Sequence, residues 1–286
     1  MTEILRFTVK SVENELRIRE YLKNQLGFST SLIAKVKYDN VFLNGTPVHM
    51  RAMVKNGDAI EIALPSEDSE NIPPIDIPID VIYEDEHMIA VNKPINMPTH
   101  PSRGNHLPTL AECVRSHIGK PFVFRAISRL DRDTSGIVLI AKNQLSAAIL
   151  SRAMREGKFK KIYYAKVVGI PKESEGIINL PIAREKEGEI KRVVREDGKP
   201  AITKYKVIHT NAEGNSTLEL EAVTGRTHQL RVHLAHIGHP LVDDFLYGKR
   251  TDGRTYRLHC GRLEFPHPFE NRLLILTTSN RDPASD

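Results

Sequence analysis

Two stretches of this chain hold residue types that carry chemistry. The first is Arg129-Leu130-Asp131-Arg132-Asp133-Thr134-Ser135-Gly136, which puts two carboxylates and two guanidinium groups into one segment and runs straight into the apolar Ile137–Ala141. An opposite charge within a few ångströms favours the ionised form of a carboxylate, so an aspartate beside arginine is held charged and oriented. That is the state a nucleophile or a proton acceptor needs. The same residues also make an ordinary surface loop with local ion pairs, and the loop alone leaves both readings open.

The second stretch is Thr224-Gly225-Arg226-Thr227-His228-Gln229-Leu230-Arg231-Val232-His233-Leu234-Ala235-His236-Ile237-Gly238-His239-Pro240. His233, His236 and His239 recur every three residues, which raises the question of a metal. Ligands on one helix face need i, i+3 or i, i+4 spacing and usually a carboxylate close by. The run contains no acidic residue, and zinc needs three or four convergent ligands. No metal is expected, and a metal hydrolase is the weaker reading.

These residues must be positioned by regular elements. Thr134, Ser135 and Gly136 are turn formers, so the Asp131 loop is tight, and Ile137–Ala141 reads as a buried strand. Val81–Tyr83 and Met88–Val91 flank an acidic turn and read as a hairpin entering a sheet, from which Asn92-Lys93-Pro94 and Met97–Pro101 depart in a rigid loop. Thr109–Ile118 and the stretch from Leu145 to Glu156 read as helices, and Lys160–Gly169 as a strand. On a period-2 strand Tyr163 and Tyr164 face opposite sides, so only one enters any given site. Thr217–Ala222 alternates as a half-buried strand. Thr224-Gly225 then makes a turn, a threonine caps a helix bearing Leu230, Leu234 and Ile237, and Gly238 closes it. The charged Glu185–Gly198 stretch reads as a hairpin tip.

Upstream, Ile18, Tyr21, Leu22 and Leu26 share one helical face ending at Gly27. Ser29 and Ser31 are candidate caps for a second short helix. Asn44-Gly45 between Val41–Leu43 and Thr46–Val48 is a strong hairpin signal, and Ala59–Leu64 reads as a strand.

Several of these motifs together resemble a known family. Arg-Leu-Asp-x-x-Thr-Ser-Gly before an aliphatic strand is similar to the active-site signature of RNA pseudouridine synthases of the large-subunit (RluA/RluD) type. Asn-Lys-Pro with a later His-Pro, Lys-x-Tyr-x-Ala at Lys161–Ala165, Thr-Gly-Arg-Thr-His-Gln-Leu-Arg-Val-His at 224–233 and Arg257–Cys260 with Phe265–Pro268 follow in the same order. The match covers essentially Val81–Leu276. It departs at Ser128, where many members have His, and at Asp243, where members usually have Gly. The resemblance implies that Asp131 is the essential catalytic residue, that Arg226 pairs with it, and that Tyr163 stacks on or deprotonates the detached base. It implies an α+β fold with a mixed, largely antiparallel sheet and a central cleft. Arg129 and Arg132 would meet the RNA backbone or pair locally. Lys93 and His100, from the opening pattern, are further candidate RNA contacts.

Residues 1–65 resemble the S4 RNA-binding domain, through Val-Phe-Leu-Asn-Gly-x-Pro-Val and Asn-Gly-Asp-x-Ile-Glu-Ile. Arg17, Arg19, Lys23, Lys35 and Lys37 on or near its helices would then meet phosphates, though the same residues also describe a solvated helix face. Residues 66–80, acidic and proline-bearing, read as an extended linker, and residues 81–286 as the catalytic domain.

Charge supports polyanion partners without proving them. The net charge is +5; residues 1–65 hold 9 basic and 7 acidic side chains, 66–80 hold 5 acidic and no basic ones, and 81–286 hold 32 and 24. No apolar run approaches the roughly 20 residues of a bilayer span. Met1–Lys10 lacks a secretory pattern, and two lone cysteines, Cys113 and Cys260, build neither a disulfide framework nor a zinc ribbon. A cytoplasmic monomer acting on structured RNA is expected, ribosomal RNA first and transfer RNA as the alternative, without a cofactor. The competing class is a non-catalytic RNA-binding or ribosome-associated protein.

Overall fold

The computed structural model describes residues 3–36, 40–64, 72–102, 107–119, 121–249 and 256–278. An N-terminal unit contains β1 (Glu3–Thr8), β2 (Leu16–Arg17), α1 (Ile18–Asn24), α2 (Thr30–Lys35), β3 (Val41–Leu43), β4 (Thr46–Pro47), β5 (Met53–Val54) and β6 (Ala59–Leu64). Its main sheet has the order β1-β6-β3-β4. The β3–β4 turn forms because Asn44 and Gly45 both take positive φ, 50° and 80°, which matches the twist of a two-residue hairpin. The Ser29 hydroxyl caps α2 by accepting from Leu32 N at 3.1 Å.

The larger unit contains β7 (Asp80–Glu84), β8 (Met88–Lys93), α3 (Leu110–Ile118), β9 (Arg125–Ala126), β10 (Ser135–Ala141), α4 (Gln144–Arg155), β11 (Lys160–Val167), β12 (Glu175–Asn179), β13 (Ile182–Arg184), β14 (Arg192–Val194), β15 (Ile202–Thr210), β16 (Ser216–Ala222), α5 (Gln229–His236), β17 (Leu258–Pro266) and β18 (Leu273–Thr277). Its main sheet runs β12-β15-β16-β11-β17-β10-β8-β7, with β18 beside β17 and β9 beside β10. The β10–β17 pair is parallel and its other described pairs are antiparallel, so the mixed, largely antiparallel α+β architecture is the one formed. Ile137–Ala141 of β10 are fully buried, which explains their unbroken apolar run. Gly136 makes the parallel pairing possible. Its φ is 109°, and a Cβ there would sit 2.3 Å from the Cys260 carbonyl oxygen.

The connection between the two units differs from a free linker. From Ile72 onward the chain lies against the larger unit: Arg115 donates to the Ile72 carbonyl, Ile75 N donates to Glu112 O at 3.2 Å, and Ile72 and Ile79 pack on the core. Residues 65–71, the acidic half of that stretch, lie outside the described residues. The N-terminal unit is docked as well. Leu145 of α4 belongs to its core beside Ile18, Leu22 and Ile60, and Ile149 and Phe269 pack against it. Gly27, at φ 76°, abuts Arg152 and Ile149 of α4. Among the described residues no helix is long and apolar enough to cross a membrane.

Candidate active site

The loop between β9 and β10 presents Asp131 into a cleft of about 420 Å³, with its carboxylate 37% exposed. The loop is fastened from beneath. Lys93, at the end of β8 and opposite Gly136, is fully buried, and its ammonium donates to the carbonyls of Pro94 (2.8 Å), Met97 (2.8 Å) and Arg132 (3.0 Å). The Thr99 hydroxyl donates to Leu130 O at 2.8 Å, and Thr134 N donates to Asp131 O at 3.1 Å. Arg132 grips Asp133 with two bonds of 2.9 Å. Two carbonyls flanking Asp131 are therefore fixed by buried donors, and the carboxylate between them is aimed.

The opposite wall comes from the turn after β16 and from α5. Arg231, in the first turn of α5, is 3% exposed and makes a bidentate pair with the fully buried Asp244, at 2.7 and 2.8 Å. Its third nitrogen lies 4.0 Å from the Asp131 carboxylate, and its guanidinium carbon sits 4.3 Å from the Tyr256 ring centroid. Asp244 also accepts from Leu246 N (3.0 Å) and Tyr247 N (3.1 Å). His228 Nε2 is 3.8 Å from Asp131, and its Nδ1 meets the Tyr247 hydroxyl at 2.8 Å. Burial holds the His228 imidazole below its ordinary pKa, against the pull of Asp131, so it is neutral at pH 7. His228 has φ 55°, a strained conformation for a residue with a Cβ.

The cation facing Asp131 is thus Arg231, which corrects the expected pairing with Arg226. Arg226 lines the cleft, but its Nε donates to Pro200 O at 2.9 Å. The reason is local. The helix begins only at Gln229, so Arg226 stays in the turn, where the Gln229 side chain accepts from its backbone N–H at 3.0 Å. That also replaces the expected threonine cap: the N-cap position is His228, which makes no side-chain cap bond. Asp243 has φ 62°, the left-handed region that glycine favours.

Tyr163 of β11 lines the cleft and is 8% exposed, opposite Cys260 across the strand pair. Burial pushes its pKa well above the usual phenol value, so the hydroxyl is protonated at neutral pH. Tyr164 faces the other way, toward Glu219 at 3.3 Å. Lys161, two residues before Tyr163 and hence on its side of the strand, also lines the cleft, and burial depresses its pKa. Ser128 Oγ accepts from Leu139 N at 3.2 Å, bracing the loop from the other side.

A family model described as "RNA pseudouridylate synthase" matches residues 87–236, an interval that contains Asp131, Tyr163 and Arg231. The chain belongs to that family. Its relatives include the "Uncharacterized RNA pseudouridine synthase YjbO" of Bacillus subtilis (strain 168), 36% identical over 260 residues, which span 88% of this chain and 91% of the relative. The "Ribosomal large subunit pseudouridine synthase D" of Pasteurella multocida (strain Pm70) is 32% identical over 266 residues, 84% of this chain and 79% of that one. Among solved structures, human RNA pseudouridylate synthase domain containing 1 aligns with a TM-score of 0.61 at 28% identity, covering 73% of this chain and 86% of its own. The enzyme is an RNA pseudouridine synthase, an isomerase.

The remaining candidate positions in this pseudouridine synthase divide by environment. Lys93 is not a surface contact for RNA, since it is fully buried with its three donors on three carbonyls. Burial brings its pKa down to about 8, opposed by Asp133 and Asp131. Arg129 is exposed at the mouth of the cleft. His100 is half-buried, edge-on to Phe124 at 4.9 Å. Arg17 and Arg19 are exposed on the N-terminal unit, Lys35 donates to Gln144 Oε1 at 3.5 Å, and Lys37 lies outside the described residues. His233 and His239 have protein partners: Thr203 Oγ1 and Leu180 O for the first, Val168 O for the second. The reading from sequence missed Arg231, Asp244, His228 and Lys161. Arg231 carried a signal, because it lies three residues before the buried Leu234 on one helix face and so had to be buried and paired.

Proposed function

We propose that this pseudouridine synthase isomerises specific uridines in structured RNA, ribosomal RNA first among them, with Asp131 as the essential group. The observation that carries the reading is an oriented carboxylate, reachable from solvent and opposed by a buried guanidinium at 4.0 Å. The target uridine leaves its stack to reach this carboxylate, at a cost of about a few kcal/mol that is least in loops and bulges. Asp131 then acts at the ribose, by attack at C1′ or by taking a proton beside it. The N1–C1′ bond breaks, the uracil turns within the cleft, and C5 bonds to C1′. The proton on C5 is lost while N1 gains one, so the atoms balance without a cofactor.

Arg231 aims Asp131, and Asp244 keeps Arg231 in place. Tyr163 offers a ring against the base. Its hydroxyl, held protonated by burial, supports stacking rather than deprotonation. Residues 1–65 act as an S4-type RNA-binding unit, and the cytoplasm is the compartment of the reaction. Asp131→Asn keeps the shape and removes charge and basicity, so product should vanish while RNA binding and melting temperature hold. Mapping pseudouridines in RNA from a deletion strain, rescued by wild type and by the variant, tests both claims. Sites restored by Asp131→Asn would refute the role of Asp131, and an unchanged map would refute the activity on those RNAs.

A further inference from the structure

Between the N-terminal unit and α4 runs an open groove of about 720 Å³. Lys23 of α1, Arg125 of β9 and Arg152 and Arg155 of α4 line it, and none of its lining residues is an aspartate or glutamate. Hydroxyls and amides make up the rest of its polar surface, Asn24, Thr30 and Ser31 from one unit and Gln144 and Ser151 from the other. Lys23 and Arg155 are exposed. Glu156, next to the groove, pairs with Lys158 at 2.6 Å and with Arg152 at 3.9 Å.

The groove shares walls with the catalytic cleft. Arg125 lines the groove, and Ile127, two residues further along the same strand-to-loop segment, lines the cleft. Met154 of α4 lines the cleft, and Arg155 beside it lines the groove. The geometry is held rigid by Leu145, whose side chain is buried in the core of the N-terminal unit.

We propose that this groove holds the phosphodiester backbone of RNA flanking the target nucleotide, so that both units grip one continuous strand. The inference rests on the RNA-modifying function proposed above. Chain-like polyanions fit an open, cation-lined channel with hydroxyl donors, and the phosphate contacts carry the affinity.

The test uses the full chain and a fluorescent 20-nucleotide oligo(U), with anisotropy read across salt concentrations. Each phosphate contact to single-stranded RNA contributes about 0.7 to the log–log salt slope. Lys23→Gln and Arg155→Gln should each lower the slope by about 0.7. The double variant should bind about 25-fold more weakly than wild type at 0.1 M salt and converge with it near 1 M. Lys206→Gln, which removes an exposed cation from β15, should leave the slope alone. Unchanged slopes in the groove variants would overturn the proposal and assign these cations to another partner. So would an equal drop in Lys206→Gln. In parallel, wild type and Asp131→Asn are assayed for pseudouridine in ribosomal RNA transcripts. Asp131-dependent product with unchanged groove slopes refutes the groove alone, whereas no product from wild type refutes the function it rests on.

Discussion

Arg231 and Asp244 separate folding from catalysis in one set of variants. Asp244 is fully buried and Arg231 nearly so, and removing one member of such a pair costs about 3–5 kcal/mol because the other charge is left uncompensated. Arg231→Met alone should therefore lower the melting temperature by roughly 6–20 °C, at about 2–4 °C per kcal/mol for a chain of this size. Adding Asp244→Asn removes the stranded charge and keeps an oxygen for Leu246 N and Tyr247 N, so the double variant should recover most of that loss. Neutral replacements of buried pairs are often close to neutral in stability. Catalysis should not recover. A unit charge at 4 Å near a protein surface is worth about 4 kcal/mol, and Asp131 would have lost it along with its aim. The assay is single-turnover pseudouridine formation beside thermal unfolding, with at least a 100-fold rate loss expected in both variants. A double variant that folds like wild type and also turns over like it would show that Arg231 serves only the fold.

Lys93 makes stability depend on pH. Its proton is disfavoured in the folded state, from 10.5 to about 8, so the full penalty, on the order of 3 kcal/mol, applies below pH 8. It disappears as pH rises to 10.5, because only the unfolded chain still binds the proton there. Unfolding free energies for wild type relative to Lys93→Met should shift in favour of wild type across that window, and parallel curves would contradict the burial. Gly136→Ala should prevent folding, since the new Cβ meets the Cys260 carbonyl at 2.3 Å, and soluble, active Gly136→Ala protein would refute the tight β10–β17 approach. A chain starting at Ile79 uncovers Leu145 and should bind a hydrophobic dye and aggregate, with Leu145→Gln relieving both. A well-behaved truncated chain with Leu145 intact would mean that the two units do not share a core.

The parts legible in the sequence were those whose signal is local. Ile137–Ala141 is apolar without interruption because β10 is covered on both faces, and Asn44-Gly45 marks a turn whose φ values few other residues accept. Thr109 and Glu112 cap α3 with each other's backbone, a signal three residues long. The Asp131 loop belongs to this class, since its turn formers and charges are adjacent. Arg231 does not. Its role depends on where α5 begins, on the 13 residues that separate it from Asp244, and on a turn that sends Arg226 to Pro200 instead. Motif residues five positions apart look alike until the helix start is known.

Lys93 and the docked N-terminal unit were misread for a related reason, that exposure is a property of the whole fold. A lysine beside a proline at a strand end is normally solvated, but here three carbonyls of the departing loop converge on it, and an ammonium is the side chain with three donors to meet them. Its burial costs stability and gives the Asp131 loop a fixed floor, a trade that strained or costly groups at functional sites commonly make. In the same way Leu145 sits on the amphipathic face of α4 that a sequence reading assigns to the helix's own domain. It is buried in the other unit. The two units are consequently docked through α4, and on the proposal above a substrate strand meets one surface rather than a catalytic domain with a second contact on a tether.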